Sequence, residues 1–228
     1  MDGHSNPDVV PSEKEGPGYE EASAGKGPAI IGTISGGPLK IRQTLAALSL
    51  LGALSLPAAA ADTYNLDPAH TTATFRIKHL NVSYFYGRFD DISGAMVIDE
   101  TDPTKDTVQI TVKTDSVDTH NDKRDQHLKS PDFCNAAQFP EITFKSTSVV
   151  KKSDTTFSVT GDLTIHGVTK SVTADFERVG TGKDPWGGIR TGAEAVLTIK
   201  RSDYGMTFMQ DGLGDDVKLF VSLEGVKK

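Results

Sequence analysis

The sequence predicts an all-β protein: an eight-stranded antiparallel barrel with one short helix. Apolar and polar residues alternate over eight segments, which gives each predicted strand one dry face and one wet face. Turn-forming stretches such as DETDPTKD (99–106) and HGVTK (166–170) separate these segments at hairpin-like distances. One-sided antiparallel strands hide their edges by closing, and eight strands make a barrel that can hold a small ligand.

Each predicted element has its own signal in the sequence. Two blocks, Arg124–Lys145 and Gly161–Lys170, join a polar cap or turn to an alternating strand. A short helix is predicted near Asn121–Lys129, and Ser130-Pro131 ends it. The eight predicted strands are Ala73–His79, Gly94–Asp99, Val108–Val112, Ile142–Val150, Thr156–Ile165, Val172–Phe176, Ala195–Ile199 and Val217–Leu223.

The chain divides into three parts by composition. Residues 1–38 contain eight Gly and five Pro with almost no apolar periodicity, so we expect a disordered extension. Residues 39–61 have two cations, an apolar run of twelve residues and a small-residue end, as a signal peptide cleaved near Ala61 has. Twelve residues are too few to span a bilayer, which needs about 20. A start of translation at Leu39 would give this signal peptide its standard length, so we expect translation to begin there. Cleavage near Ala61 then leaves residues 62–228 as the mature domain.

Charge and cysteine content exclude some classes of protein. Four of the 24 Lys and Arg residues and six of the 31 Asp and Glu residues precede Asp62, which leaves 20 cations and 25 anions. This negative balance argues against nucleic acid as a partner, because phosphate binding needs a basic face. Cys134 is the sole cysteine, so no intramolecular disulfide can form, and it is expected to be a buried apolar side chain.

The mature domain resembles the YceI-like family of lipocalin-like proteins. The resemblance rests on seven segments in the same order: Leu66–Leu80, Gly87–Asp99, Ser116–Phe133, Phe139–Ser146, Gly161–Val172, Arg201–Met206 and Leu213–Leu219. It covers essentially all of residues 62–228. It implies a periplasmic protein that binds a polyisoprenoid or another long-chain lipid inside an extended barrel, with no catalytic residue to carry over.

The candidate lipid-binding residues are the apolar side chains on one face of the predicted strands. A solid core of the same side chains is the alternative, because alternation identifies the buried face but not an empty centre. The resemblance favours a cavity. The strand residues predicted to line it are Phe75, Ile77, Met96, Ile98, Val108, Ile110, Val112, Phe144, Phe176 and Leu197.

The stretch from Tyr204 to Met209 is unusually apolar for a loop. We expect it to cover the barrel end or to line the entrance, with Tyr204, Met206 and Phe208 contacting lipid. Trp186, in the DPWGG turn, is expected to have low solvent exposure, either at the same entrance or as a cap on a hairpin.

Arg124 and His127 lie three residues apart on the predicted helix and form a candidate headgroup site. The alternative is that Arg124 and Asp125 lock the helix to neighbouring loops. We predict no metal, because His120, Asp122 and His127 match no strong zinc spacing, and no cofactor.

The sequence has no G-x-S-x-G, H-E-x-x-H, P-loop or dinucleotide-binding motif, which favours a carrier over an enzyme. An interaction or stress protein with a solid barrel and a lipid-modifying enzyme stay open as alternatives. We also expect the final strand to be exposed, where it would pair in a homodimer.

Overall fold

A computed structural model of the chain describes residues 61–228, and the predictions for residues 1–38 and 39–60 lie outside this range. The described residues form eleven strands, one α-helix and three 3₁₀ turns, at Pro103–Lys105, Thr114–Ser116 and Arg201–Tyr204. The helix α1 is Asp122–Lys129. The strands are β1 (Asp62–Leu66), β2 (Thr72–His79), β3 (Ser83–Phe89), β4 (Ile92–Ile98), β5 (Thr107–Lys113), β6 (Val117–Asp118), β7 (Glu141–Lys151), β8 (Thr156–Ile165), β9 (Val168–Lys183), β10 (Ile189–Lys200) and β11 (Leu213–Lys227).

Eight of these strands close into an antiparallel ring in the order β1-β4-β5-β7-β8-β9-β10-β11, with β11 returning to β1. The other three strands branch from β11 in the order β2-β3-β6. The long strand β11 serves both partners, because its end at Gly225–Lys227 pairs with β1 and its earlier residues pair with β2. Closure satisfies the strand edges of the ring, which a free sheet would leave unpaired.

Alternation along β8 shows why these sequences form walls. Phe157, Val159, Leu163 and Ile165 are buried, and the residues between them are Ser, Thr, Gly and Asp. In a strand, successive side chains point to opposite faces, so this pattern turns one apolar face toward the barrel interior. The same periodicity in the other walls gives one apolar interior, which is packed at one end and open in the middle.

The predicted eight-stranded antiparallel barrel with one helix is confirmed, with corrections to its strands. The eight predicted strands correspond to β2, β4, β5 and β7 to β11, whereas β1, β3 and β6 were missed. The ring contains the missed β1, and the predicted β2 lies outside it. The prediction of an exposed final strand is wrong, because β11 pairs with β10 on one side and with β2 and β1 on the other.

Helix α1 begins and ends where its sequence predicts. The Asn121 side chain accepts a hydrogen bond from the Arg124 backbone N–H at 3.0 Å and so caps the first turn. At the other end the Ser130 N–H donates to the His127 carbonyl, and Pro131 cannot continue the helix. Within residues 61–228, no helix is long and apolar enough to cross a membrane.

An ion network ties three segments together at the end of the barrel where β9 turns into β10. Arg190 Nη1 lies 2.6 Å from Asp67 Oδ2 and 2.6 Å from Glu224 Oε1, and its Nε lies 3.0 Å from Asp184 Oδ2. The hydrogen bonds from Arg190, and then from His70, hold the pKa of Asp67 well below its usual range. The network therefore joins the turn after β1, the β9–β10 turn and β11.

This network predicts a specific sensitivity to acid. A carboxylate with a lowered folded pKa stabilises the protein above its unfolded pKa of about 3.9, and this contribution is lost as the pH falls through the folded pKa. Arg190→Met should lower the thermal unfolding midpoint at pH 7. In this variant the midpoint should also fall less steeply than in the wild type as the pH is lowered from about 5 to about 3. Lys152→Met, which breaks an exposed pair with Asp175, is the control. An Arg190→Met variant with the wild-type acid profile would contradict this assignment.

Candidate functional site

The barrel interior contains a cavity of about 190 Å³. An engineered apolar cavity of about 150 Å³ takes up benzene, so this one has room for a larger apolar guest. Its walls are apolar apart from Thr74, Thr143 and the thiol of Cys134. Every strand from β2 to β11 contributes lining side chains. Helix α1 and the loops at one end of the barrel contribute the others.

Small residues in the walls explain why the centre is open. Ala73, Ala174 and Ala195 line the cavity at positions where a larger side chain would fill it. A Cβ added at Gly161 would lie only 2.5 Å from Cζ of Phe144, so that ring packs directly over the glycine. Tight packing of the ring against the wall keeps its bulk away from the centre of the barrel.

The end of the barrel below the cavity is solid. Its buried side chains belong to the same core as the walls but do not line the cavity. They form a floor made of Tyr64, Leu66, Met96, Val108, Val149, Phe157, Val159 and Leu223. Interior packing of this kind leaves no room for a ligand at the floor, so among the described residues the opposite end, which carries α1, is the candidate entrance to the cavity.

An aromatic cluster lies at this α1 end, which we call the mouth. The ring of His127 is 5.0 Å from that of Phe133 and 5.2 Å from that of Phe208, and the two phenylalanine rings are 5.3 Å apart. All three pairs are edge-to-face, a favourable geometry for aromatic rings. Phe133 lines the cavity, whereas Phe208 is 40% exposed, so the cluster connects the cavity to the surface.

A buried arginine holds the loop that carries Phe208. Arg201 is 2% exposed, and its guanidinium donates four hydrogen bonds to backbone carbonyls. The acceptors are the carbonyl oxygens of Met206, Phe208, Leu213 and Gly214, at 2.8 to 3.2 Å. Burial lowers the pKa of Arg201 and the charge of Asp215 opposes that shift, but an arginine stays protonated in proteins. Arg201 thus fixes the 205–214 loop across the mouth.

Arg124 has a structural role in the described contacts. Its Nε donates to Thr119 Oγ1 at 2.8 Å, its Nη2 donates to the Thr119 carbonyl at 2.7 Å, and it stacks on the ring of Phe85. Asp125 accepts hydrogen bonds from the same threonine. His127 has different partners, with Nε2 2.8 Å from Asp132 Oδ2. The structure therefore favours the alternative in which Arg124 locks the helix to a neighbouring loop. Of the predicted headgroup pair, only His127 lies at the aromatic cluster.

The predicted lipid-binding residues divide into two groups in the structure. Seven of them line the cavity: Phe75, Ile110, Val112, Phe144, Phe176, Leu197 and Met206. Six do not: Ile77, Met96, Ile98, Val108, Tyr204 and Phe208. Met96 and Val108 belong to the floor, with Ile98 packed against the same core, and Tyr204 is buried in a second core cluster beside the cavity. Periodicity identifies the inward face but not the height along the barrel axis.

The sequence reasoning missed three lining residues close to the helix. Leu128, Phe133 and Cys134 all reach the cavity from α1 and the turn that follows it. The Cys134 N–H donates to the Leu128 carbonyl at 3.0 Å, and this turn directs the segment over the barrel end. The available signal was the apolar pair Phe133-Cys134 directly after a helix stop. Trp186 was predicted to have low exposure, but it is 84% exposed in the β9–β10 turn at the floor end.

Among the residues that the structure describes, one group of side chains could hold a metal ion. It consists of Asp67, His70 and Glu224, at the floor end. Arg190 already lies between the two carboxylates of this group. The guanidinium supplies the positive charge that balances these two acids. The group is therefore interpreted as part of the ion network described above and not as a metal site.

Cys134 provides a reporter inside the cavity. Burial raises the pKa of its thiol to about 11 from the ordinary value of 9.0. Only the thiolate reacts with 5,5′-dithiobis(2-nitrobenzoate), so the folded protein at pH 8 should react about 100-fold more slowly than the urea-unfolded chain. The measurement is the absorbance rise of the released thiolate in both states. A folded-state rate within a few-fold of the unfolded rate would place Cys134 outside the cavity.

Comparison with known proteins identifies the family. The chain is 44% identical over 172 residues to the protein YceI of Salmonella newport, covering 75% of this chain and 90% of that one. The structure matches that of Campylobacter jejuni YceI with a TM-score of 0.61 at 33% identity, covering 66% of this chain and 90% of the other.

A third match has the same fold at lower identity. It is a polyisoprenoid binding domain from Saccharophagus degradans implicated in plant cell wall breakdown. The TM-score is 0.56 at 19% identity, covering 72% of this chain and 98% of that domain. The profile of the YceI-like domain matches residues 64–225, nearly the whole of the described barrel. The chain therefore belongs to the YceI-like family.

Proposed function

We propose that this protein is an exported carrier that sequesters or transports a long-chain isoprenoid, or a similar amphiphilic lipid, in its barrel. The observation that supports this most strongly is the apolar cavity of about 190 Å³ above a solid floor. The predicted signal peptide at residues 39–61 supports export to the periplasm. The S. degradans domain of the same fold is a polyisoprenoid binding domain, and an isoprenoid tail is a chain that such a cavity suits.

The binding energy in this proposal comes from the tail. Each buried CH₂ contributes about 0.8 kcal/mol, so ten of them contribute about 8 kcal/mol before the costs of association. Micromolar affinity corresponds to about 8 kcal/mol, so binding at that level needs a tail somewhat longer than ten carbons and no strong polar anchor. Weak dependence on the headgroup suits a carrier that both accepts and releases lipids.

The cavity chemistry favours binding over catalysis. Among the side chains that line it, Cys134 is the one ordinarily titratable group within the described residues. Its thiol is neutral at physiological pH because burial raises its pKa to about 11. General acid–base or nucleophilic catalysis needs a group with a pKa near the working pH, and a protonated thiol in an apolar wall does not meet that need.

Native mass spectrometry tests the proposal. The protein is expressed from the full chain, recovered without detergent, and compared with its denatured mass, and its lipid extract is fragmented. We expect a stoichiometric adduct whose fragments differ by isoprene units or by CH₂ groups. An adduct-free protein that also fails to bind added prenols and fatty acids would overturn the carrier proposal and favour an interaction protein.

A further inference from the structure

The outer face of the β2–β3 hairpin differs from the rest of this acidic protein. Strand alternation turns Arg76 and Lys78 of β2 outward, together with Tyr84 and Tyr86 of β3. The register pairs Arg76 with Tyr86 and Lys78 with Tyr84 across the two strands. The two tyrosines are 57% and 52% exposed. Cations and exposed aromatic rings therefore alternate over one continuous surface.

The cations on this face lack acidic partners. Lys218 of β11 lies directly opposite Arg76. Like charges in opposite positions destabilise a sheet, so folding alone does not explain this pair. Among the described residues, Arg76, Lys78 and Lys218 form no salt bridge, and Arg76 Nε is buried without a hydrogen-bond partner. Arg76 stacks instead on the ring of Tyr84, 4.0 Å from its centre.

Two acids of β11 beside this face already have partners. Asp216 Oδ1 lies 3.4 Å from Lys200 Nζ, and Asp215 accepts hydrogen bonds from Ser202. Arg88, at the far end of β3, pairs with Asp90 and Asp118. These three cations therefore carry positive charge on the outer face without a salt bridge, Lys78 exposed and Arg76 and Lys218 half-buried, and an anionic partner would complement them.

The tip of the same hairpin is apolar and lies at the mouth. Leu80 is 50% exposed and Val82 is 81% exposed. The Leu80 N–H donates to the Gly212 carbonyl at 2.6 Å, which attaches the tip to the 205–214 loop. In that loop Phe208 and Met209 are 40% and 46% exposed. The exposed apolar side chains of both segments thus border the entrance to the cavity.

We propose that the hairpin and the neighbouring loop dock the protein on the surface of an anionic phospholipid bilayer. Apolar tips insert at such a surface, tyrosines prefer the headgroup region, and each Lys or Arg near it contributes attraction to anionic lipids. The order along the hairpin is the order that this geometry needs: Leu80 and Val82 at the tip, then Lys78 and Tyr84, then Arg76 and Tyr86. Docking in this orientation turns the mouth toward the membrane.

Vesicle flotation tests this docking. The probe is vesicles of 30% phosphatidylglycerol in phosphatidylcholine, mixed with protein expressed from the full chain at low salt. We expect binding that weakens as salt screens the charges, with Lys78→Gln/Lys218→Gln lowering the partition coefficient roughly tenfold or more. Val82→Asp, at an 81% exposed position, should lower it by a similar factor without changing the unfolding midpoint. All variants share the residues before Asp62, so any contribution from that segment cancels.

Lys145→Gln/Lys183→Gln is the control, because it removes two exposed cations away from the hairpin, one from the outer face of β7 and one from the end of β9 beside the β9–β10 turn. Equal losses in this variant and in Lys78→Gln/Lys218→Gln would overturn the assignment of the face. A single-stranded oligonucleotide that displaces the protein from vesicles would overturn it in favour of nucleic acid recognition. Ala195→Phe, which fills the cavity, should leave vesicle binding unchanged, so failure of docking is distinguishable from failure of the carrier proposal.

Discussion

Ala195→Phe is expected to remove lipid binding while leaving the barrel folded. Ala195 is 3% exposed and lines the cavity from β10, so a phenyl ring there occupies the space that a lipid tail would fill. Displacing four CH₂ groups removes about 3 kcal/mol of burial, which corresponds to about 100-fold in affinity. The measurement is titration with a fluorescent prenol or fatty acid, alongside thermal unfolding.

Val196→Phe is the matched control, since it adds the same ring at the next position of β10. Val196 is 44% exposed on the outer face, so its replacement should leave both affinity and stability nearly unchanged. An Ala195→Phe protein that unfolds at the wild-type temperature and still binds lipid with wild-type affinity would show that the ligand lies elsewhere.

Arg201→Met is expected to have the largest effect on stability. It leaves four buried or partly buried carbonyl groups without their donor, and each unsatisfied buried group costs about 1–3 kcal/mol. Some of these groups will regain water, so we expect about 3–5 kcal/mol in total. For a domain of this size, that lowers the unfolding midpoint by about 10 °C. Differential scanning calorimetry measures it.

Two further substitutions separate the charge of Arg201 from its geometry. Arg201→Lys keeps the positive charge but has one nitrogen, so it should recover only part of the lost stability. Lys200→Met removes a neighbouring cation that is 58% exposed, and its effect should stay below about 1 kcal/mol. Equal unfolding midpoints for Arg201→Met and Lys200→Met would show that the arginine does not hold the loop.

The fold was largely predictable because most wall strands are buried on one face. Alternation is clear over the predicted parts of β5, β7, β8, β9 and β10, although register shifts interrupt β7 at Ser146–Ser148 and β10 at Gly192–Ala193. The strand β3 was missed because Tyr84, Phe85 and Tyr86 place aromatic rings on both faces, which hides the period of two. The strand β1 was missed because it is five residues long, with only Tyr64 and Leu66 pointing inward.

The site was less predictable than the fold, and the reason is geometric. Val108 and Val112 share one strand face, yet Val112 lines the cavity and Val108 lies in the floor. Their heights along the barrel axis depend on the register with β4 and β7, which alternation does not encode. The hydrogen bonds by which Arg201 holds the 205–214 loop could not be predicted either, because their acceptors are backbone carbonyls, which carry no sequence signal.

The central claim, that a lipid tail occupies the cavity, is tested most directly by photo-crosslinking. A long-chain lipid with a diazirine in its tail is bound, irradiated, and mapped by peptide mass spectrometry. We predict adducts on wall residues such as Phe144, Phe176 and Leu197, and their loss in the Ala195→Phe variant. Adducts confined to the outer face, at Tyr84, Tyr86 or Val196, would contradict the account.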